Sequence, residues 1–478
     1  MSSHPAAIPI PTLRAELDGQ VLTPDDAGYD QARTIFWGDF DQRPGAIVRP
    51  AHESGVARVV ALARDSGLEL AVRSGGHSPA GHSLSDGGIV LDLSRLRALD
   101  IDPDQRTAWA QTGLTAGEYT TATAAHGLGT GFGDTGSVGI GGITLSGGVG
   151  YLVRKHGLTI DSLLAAELVT ADGELLRVDE QTHPELFWAL RGGGGNFGVA
   201  TRFQFRLHPV DQVVGGMLFL PATPEVIAGL VAEFEAAPEE LSGILNVMVA
   251  PPMPFVPAEH HGKLLVMAML VYAGDPEAGQ RAVAPFRALA TPLADMVRPM
   301  PYPEIYPPEE EAYHPTAVSH TMFMDTVDEQ VARTIVRYLQ ASDAAVRAAQ
   351  LRVLGGAMAR VPADATAFAH RGSRIMTNVA AFCEGPADRP VRQAWVEEFA
   401  AALRQGDGGA YVGFLADEGQ ERVHQAYPGS TWERLAAVKR RYDPGNLFRR
   451  NHNVPPAPTA HRRRRIVPAR PGAGLAGW

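Results

Sequence analysis

The stretch Ala71–Ser78, AVRSGGHS, closes a short apolar run with two glycines and a histidine. Leu68 to Val72 reads as a buried strand that breaks at the SGGH turn, and Ile89 to Leu93 (IVLDL) reads as the next strand. His77 is therefore expected on a loop between strands, where glycine lets backbone come close to another group. Just upstream, Val56, Val59, Val60 and Ala63 recur at helical spacing, with Ser54 as the expected N-cap and Gly67 as the stop.

A second glycine-rich region runs from His126 to Tyr151, HGLGTGFGDTGSVGIGGITLSGGVGY. Its composition is too rich in glycine for ordinary helix or sheet, so it is expected to form one or more loops that pack against something. Within it, Gly131–Gly136 (GFGDTG) matches G-x-G-x-x-G. That fingerprint binds a dinucleotide only where a strand precedes it and a helix opens at its end; more glycine loop is expected here, and the Rossmann reading is rejected. No P-loop, H-E-x-x-H or G-x-S-x-G string occurs, which removes support for Walker-type phosphoryl transfer, zincin chemistry and a nucleophile-elbow hydrolase. Clustered glycine amides form concave nests that hold phosphate oxygens without a lysine. Two such loops, one carrying a histidine, point to a diphosphate-bearing cofactor cradled by backbone.

Further along, Asp172-Gly173 between two apolar runs signals a hairpin. Thr182 and Glu185 have capping-box spacing ahead of a helix through LFWALR, with Pro184 in its first turn and Gly192–Gly195 as its stop. Val199, Thr201, Phe203, Phe205 and Leu207 alternate with more polar neighbours, as in a strand buried on one face. After His208-Pro209 the texture changes. Strand-like runs (Lys263 to Tyr272, Gln350 to Ala357) alternate with amphipathic helices (Val226 to Ala236, Glu329 to Gln340, Val391 to Leu403). Ser430 and Glu433 suggest a last capping box, opening a helix that ends at Asp443-Pro444. The expected division is a cofactor domain over 1–210, a substrate domain over 211–419 and a C-terminal segment over 420–478, its tail from about residue 457 loosely held.

Composition narrows the function classes. At 478 residues, 45% apolar and 20% charged, the chain exceeds one ordinary core and has the make-up of a folded globular protein. A formal charge of -11 argues against a nucleic-acid partner, and the basic run HRRRR at 461–465 reads as a solvated tail. The single cysteine, Cys383, excludes an internal disulfide and a cysteine metal cluster; the pair His260-His261 lacks ligand spacing and reads as surface loop, so no metal site is expected. No signal-peptide pattern and no run of 18 apolar residues occurs, so the chain is expected to be soluble and cytoplasmic, with no membrane partner. Its oligomeric state is not legible.

Four blocks carry a specific resemblance: AVRSGGHSPAGHS (71–83), GIGGITLSGGVGYLVRKHGLTID (139–161), VTADGELLRVDEQTHPELFWALRGGGGNFGVATRFQFRLHP (169–209) and YDPGNLFRRNHNVPP (442–456). In this order they resemble the flavoprotein oxidases with a vanillyl-alcohol-oxidase or PCMH-type FAD domain, in the berberine-bridge-enzyme-like branch. The resemblance implies an α+β protein. Its FAD domain would have two α+β subdomains, its substrate domain a large antiparallel sheet backed by helices, and its C-terminal segment would return to the flavin. It also implies FAD as cofactor, held covalently by His77 through an 8α-N-histidyl link. The implied cofactor positions are Arg73, Ser74, Gly75, Gly76, His77 and Ser78 in the first loop; Thr135, Gly136, Val138, Gly139, Gly141, Gly142, Thr144, Gly148, Gly150 and Tyr151 in the second; Gly198 and Val199; and Asn451 and Asn453 near the end.

Two departures from the family pattern matter. Some members attach the flavin a second time through a cysteine before the V-G-x-G-G run; that position is Thr135 here, so attachment through His77 only is expected. Many members carry Tyr-x-Asn on a late strand, where this chain has Tyr411-Val412-Gly413. Tyr411 is the implied base or orienter, and at an ordinary pKa of about 10 it needs a nearby cation or hydrogen-bond donors to act as a base. The implied reaction is oxidation of an alcohol, hemiacetal or amine-bearing carbon in a small sugar-like or natural-product substrate, with O2 reduced to H2O2. The alternatives are a flavin dehydrogenase or oxidative cyclase that does not use O2, and a flavin-retaining binding protein without catalysis. Tyr302, Tyr306, Tyr313, His370 and Arg371 are candidates to line the substrate site.

Overall fold

The computed structural model describes residues 8–306, 313–406 and 408–458; the HRRRR run lies outside the described residues. The first unit is a four-stranded sheet in the order Gly19–Leu22, Ala46–Pro50, Ile89–Asp92, Leu70–Arg73, with the last three strands parallel. Parallel strands need a crossover, and the helix Glu53–Ser66 supplies one, burying Val56, Val59, Val60 and Ala63. Gly67, at φ 66°, ends that helix. Its N-cap is His52 in extended conformation, two residues ahead of the expected Ser54.

The second unit is a five-stranded antiparallel sheet in the order Leu99–Asp102, Thr107–Gln111, Val199–Arg206, Leu163–Val169, Leu175–Asp179. The Asp172-Gly173 hairpin joins the last two, and Val199–Arg206 buries the alternating face expected of it. An antiparallel sheet is incompatible with a Rossmann unit. The second glycine region, where only loop is expected, does contain a helix, Ile140–Ser146. The expected capping boxes also fail. Pro184–Leu190 starts behind His183 at φ 56° while Glu185 pairs with Arg434, and Ser430–Tyr442 starts behind Gly429 without a side-chain cap.

The third unit is an antiparallel eight-stranded sheet. Its path runs Ala294–Asp295, Gln212–Pro221, Leu264–Tyr272, Leu241–Val249, Arg347–Val353, Ile375–Phe382, Ala317–Met324, and Arg298–Pro301 also pairs with Gln212–Pro221. Helices Pro224–Ala236, Pro276–Ala288, Glu329–Ala341 and Arg389–Leu403 cover one face, forming a core with Ala349, Leu351, Val353, Val379 and Ala381. Strand alternation turns Gln350, Arg352, Asn378 and Ala380 to the opposite face. The chain rejoins the core of the second unit ahead of residue 420, through Ala410, Val412 and Leu415, and the helix Ser430–Tyr442 packs there too. Among the described residues no helix is long and apolar enough to cross a membrane.

Candidate active site

Two glycine loops meet backbone to backbone. A Cβ on Gly75 would collide with the backbone nitrogen of Gly139, and a Cβ on Gly139 with that of Gly75. Ser74 seals the contact: its hydroxyl donates to the Thr112 carbonyl at 2.6 Å and accepts from the Gly141 N–H at 3.2 Å. Gly141 lies in the short helix, and a Cβ there would stand 2.9 Å from Ser74. The helix is therefore glycine-rich because it lies against the first loop.

The loops form one wall of a cavity of about 480 Å³, which the polar face of the eight-stranded sheet closes opposite. Of the expected cofactor positions, Ser74, Gly75, Gly76, His77, Ser78, Thr135, Val138, Gly139, Gly141, Gly142, Gly198, Val199 and Asn451 line it, and so does Tyr411. The His77 ring stacks on Phe36 with centroids 4.3 Å apart, its Nε2 is 2.9 Å from Ser137 Oγ, and its carbonyl accepts from Trp37 Nε1 at 3.2 Å. The imidazole is thus fixed in plane and direction at the cavity edge.

The remaining positions sit off the lining. Arg73 is spent inside the first unit, donating to the Ala32 carbonyl at 2.6 Å and to Asp92 at 2.7 Å. Burial opposes the Asp92 charge, but Arg73 and Arg49 together hold its carboxyl below the usual range. Gly136 accepts from Gly117 N–H and backs onto Tyr306, and Gly150 leaves no room for a Cβ beside the Phe132 carbonyl. Thr144 is fully buried behind the wall, Tyr151 belongs to an apolar cluster, and Asn453 lies beside the lining. Gly148 acts from behind through Tyr411: its N–H donates to the phenol oxygen at 3.1 Å. Tyr411 is 3% exposed and is not on a strand; it leads into the 3-10 turn Val412–Phe414. Burial pushes its pKa up to about 12, against the opposing pull of the Gly148 N–H and the Arg352 charge.

The expected substrate lining is corrected by packing. Tyr302 and Tyr306 are buried with Val210, Met300 and Ile305, because their rings fill an apolar gap between sheet and loops. His370 donates from Nε2 to the Gln425 and Ala426 carbonyls, at 3.0 and 3.2 Å. Arg371, 2% exposed, makes a two-pronged ion pair with Asp161 at 2.7 Å on each prong. Tyr313 is 52% exposed and touches the edge of Phe36 instead. What lines the cavity in their place is Asp134, Ser319, Gln350, Arg352, Asn378, Phe382 and Phe414. Arg352 donates to Asp134 at 2.5 Å and to Gln350 at 2.8 Å, and its guanidinium lies over the Phe414 ring. His82 and His452, ring centroids 4.6 Å apart, complete the wall by the C-terminal segment. Burial depresses both imidazoles, His452 to about 4.

This wall fits FAD. Bare backbone faces inward where the glycine loops meet, as a diphosphate requires. Among the described residues, the Tyr427 hydroxyl and Asn451 Oδ1 at the same cavity are buried without a hydrogen-bond partner, which suits a polar ligand.

The comparisons agree. Residues 44–179 match the FAD binding domain family, and residues 410–455 match the berberine and berberine-like family. The chain is 32% identical over 459 residues to (R)-6-hydroxynicotine oxidase of Paenarthrobacter nicotinovorans, covering 92% of this chain and 97% of that protein. It is 28% identical over 448 residues to xylooligosaccharide oxidase of Thermothelomyces thermophilus, covering 87% of this chain and 88% of that one. The crystal structure of 6-hydroxy-D-nicotine oxidase from Arthrobacter nicotinovorans aligns with a TM-score of 0.81 at 28% identity, over 92% of this chain and 98% of that chain. The chain therefore belongs to the berberine-bridge-enzyme-like branch of the FAD-linked oxidases, and it is an FAD-dependent oxidoreductase.

Proposed function

We propose that the protein is an oxidase that takes two electrons from a CH–OH or CH–NH carbon of a small molecule, with FAD tethered through His77 alone and O2 as the final acceptor, reduced to H2O2. The observation that carries this reading is the single cavity in which Tyr411 and the buried polar face of the sheet look across at the glycine loops and His77. FAD, when bound, would supply the hydride acceptor and the redox chemistry with O2. The chain's own groups bind and orient. Ser319 and Asn378 give a substrate polar contacts, while Phe382 and Phe414 give it apolar surface. Tyr411, its hydroxyl held by Gly148, is a phenol at neutral pH and is suited to donating a hydrogen bond to the reacting oxygen or nitrogen. The names of the two relatives support an amine-bearing ring or a sugar as donor.

Gly413 favours catalysis over a binding-only role. A Cβ there would stand 2.7 Å from the Tyr411 ring, so glycine in place of the family's asparagine makes room for the tyrosine. The test is anaerobic mixing of the holoprotein with 6-hydroxynicotine, xylobiose and glucose, followed by air. Loss of the flavin colour, then rapid recovery with H2O2 release, is expected; slow recovery in air would assign a dehydrogenase. The tether is read from acid precipitation: yellow is expected in the wild-type pellet and in the His77→Ala supernatant. Wild-type colour in the supernatant would remove the covalent link.

A further inference from the structure

Among the described residues lining the cavity, Asp134 is the single acidic one. It stands on the second glycine loop, and Arg352 reaches it from the large sheet. Arg352 is 4% exposed and fully engaged: Nη2 donates to Asp134 Oδ2 at 2.5 Å and to Gln350 Oε1 at 2.8 Å, Nε to the same Gln350 oxygen at 3.1 Å, and Nη1 to the Val149 carbonyl at 3.3 Å. Gln350 is spent as well, since its Nε2 donates to Asn246 Oδ1 at 3.0 Å. This arrangement fixes one oxygen of Asp134. The other, Oδ1, has no hydrogen bond among the described residues, and the side chain keeps 27% exposure on the cavity. Across the sheet, Asn378 pairs in register with Gln350 and presents a buried Oδ1 with no partner. The Arg352 donors are spent while the Asp134 and Asn378 oxygens are left open, so an O–H or N–H group of a ligand fits there.

We propose that Asp134 is the proton acceptor of the oxidation, and that Arg352 is its positioning residue. The proposal rests on the oxidase reading above. A substrate H–C–O–H or H–C–N–H loses its O–H or N–H proton to Asp134 Oδ1 and its C–H hydrogen with both electrons to the bound flavin. That leaves C=O or C=N, and the carboxylic acid later returns the proton to solvent. Tyr411 is unsuited to this task, because its buried hydroxyl already accepts from Gly148 and stays protonated at neutral pH. Among the described residues, Arg352 is ion-paired to Asp134, and the buried phenols of Tyr411, Tyr151 and Tyr306 feel its charge.

The experiment uses holoenzyme of the wild type, Asp134→Asn, Asp134→Glu, Tyr411→Phe and Arg352→Lys. With whichever of 6-hydroxynicotine, xylobiose or glucose reduces the wild-type flavin, anaerobic reduction is followed against pH. Asp134→Asn is expected to slow reduction by about 10²–10⁴-fold, the range for losing a general base, and to abolish the acid limb of the profile. Asp134→Glu restores the limb, Tyr411→Phe keeps it and Arg352→Lys displaces it. A limb that persists in Asp134→Asn, or vanishes in Tyr411→Phe, overturns the proposal. A limb missing in Asp134→Glu does the same, even where Asp134→Asn fails to load flavin. If no donor reduces the wild type, the oxidase reading is what fails. A donor-free titration of the flavin spectrum then decides Asp134: an acid-side step present in wild type and Tyr411→Phe but absent in Asp134→Asn supports it, and a step unchanged in Asp134→Asn overturns it.

Discussion

The Gly148 N–H donates to the Tyr411 hydroxyl across 3.1 Å, joining residues 263 apart in the chain. Two missing side chains hold that bond in place. Gly148, at φ 78°, has no room for a Cβ beside Thr159 Oγ1, and Gly413 leaves the space into which the Tyr411 ring folds. Substituting Gly413→Asn restores the family's residue and puts a Cβ 2.7 Å from the ring, so the tyrosine must move. The expected loss is about 1–3 kcal/mol of stability, the usual cost of overpacking. Flavin reduction should slow by about 10²-fold, the penalty for a misplacement of roughly 1 Å. Melting curves and anaerobic reduction check both, and an unchanged melting point and rate would show that Tyr411 is not held by this fit.

That relationship also marks how far the sequence can be read. The strand into SGGH, the Asp172-Gly173 hairpin and the alternation from Val199 were legible because each is a local pattern with a local cause. The helix Ile140–Ser146 was not. Its glycines predict loop on propensity, and only the contact between Gly141 and Ser74, far away in sequence, makes a helix there worth more than a turn. Gln350 and Arg352 did leave a signal, two polar residues at alternate positions of a strand whose intervening residues Ala349, Leu351 and Val353 face the helices. Their partner Asp134 left none, being 218 residues away on a glycine loop. Arg371 and His370 show the converse: chemically suited to a substrate site, they are consumed by Asp161 and by the Gln425 and Ala426 carbonyls.

Gly139→Ala tests the cofactor cradle. Its new methyl group would strike the backbone of Gly75, which cannot turn aside as a side chain can. The two loops must separate, at a cost of about 1–3 kcal/mol, and the amides lining the cavity lose their spacing. The expected product is a folded protein with a small fraction of the wild-type flavin content, read from the ratio of visible to ultraviolet absorbance. Full flavin loading would mean that the loop contact does not shape the site.

Lys439→Met tests the anchoring of the C-terminal segment. Lys439 and Asp443 are both 0% exposed and 2.7 Å apart; the ammonium also donates to the Asn196 and Phe448 carbonyls, at 2.7 Å each. Asp443 accepts from the Leu447 and Phe448 N–H groups, each at 2.8 Å. This knot delivers Asn451 and His452 to the cavity wall. Removing the cation leaves a buried carboxylate, for which about 3–5 kcal/mol of destabilisation is typical. The melting point should drop accordingly, and flavin loading should fall with it. A variant as stable as wild type would show that the carbonyls and the two N–H groups suffice.

The pH dependence of stability follows from the neutral imidazoles. Burial lowers His452 to about 4, His208 to about 4 and His156 to about 3, and it holds His82 well below the ordinary histidine value. Each accepts a proton in the unfolded chain near the ordinary value of about 6.5 but resists it when folded. A depressed folded pKa means the stabilisation is complete above about pH 6.5 and is lost progressively as the pH falls toward 4. His156 and His208 stack with centroids 4.0 Å apart beside Lys155, so charging either one meets like charge as well as burial. The melting point is therefore expected to be flat above pH 7 and to fall steadily from pH 6.5 to pH 4. His156→Gln should flatten part of that slope while leaving the flavin spectrum intact, because His156 lies off the cavity lining. His452→Gln should flatten another part, since burial depresses that ring in the same way. A melting point independent of pH through this window would mean that the four rings are hydrated in solution.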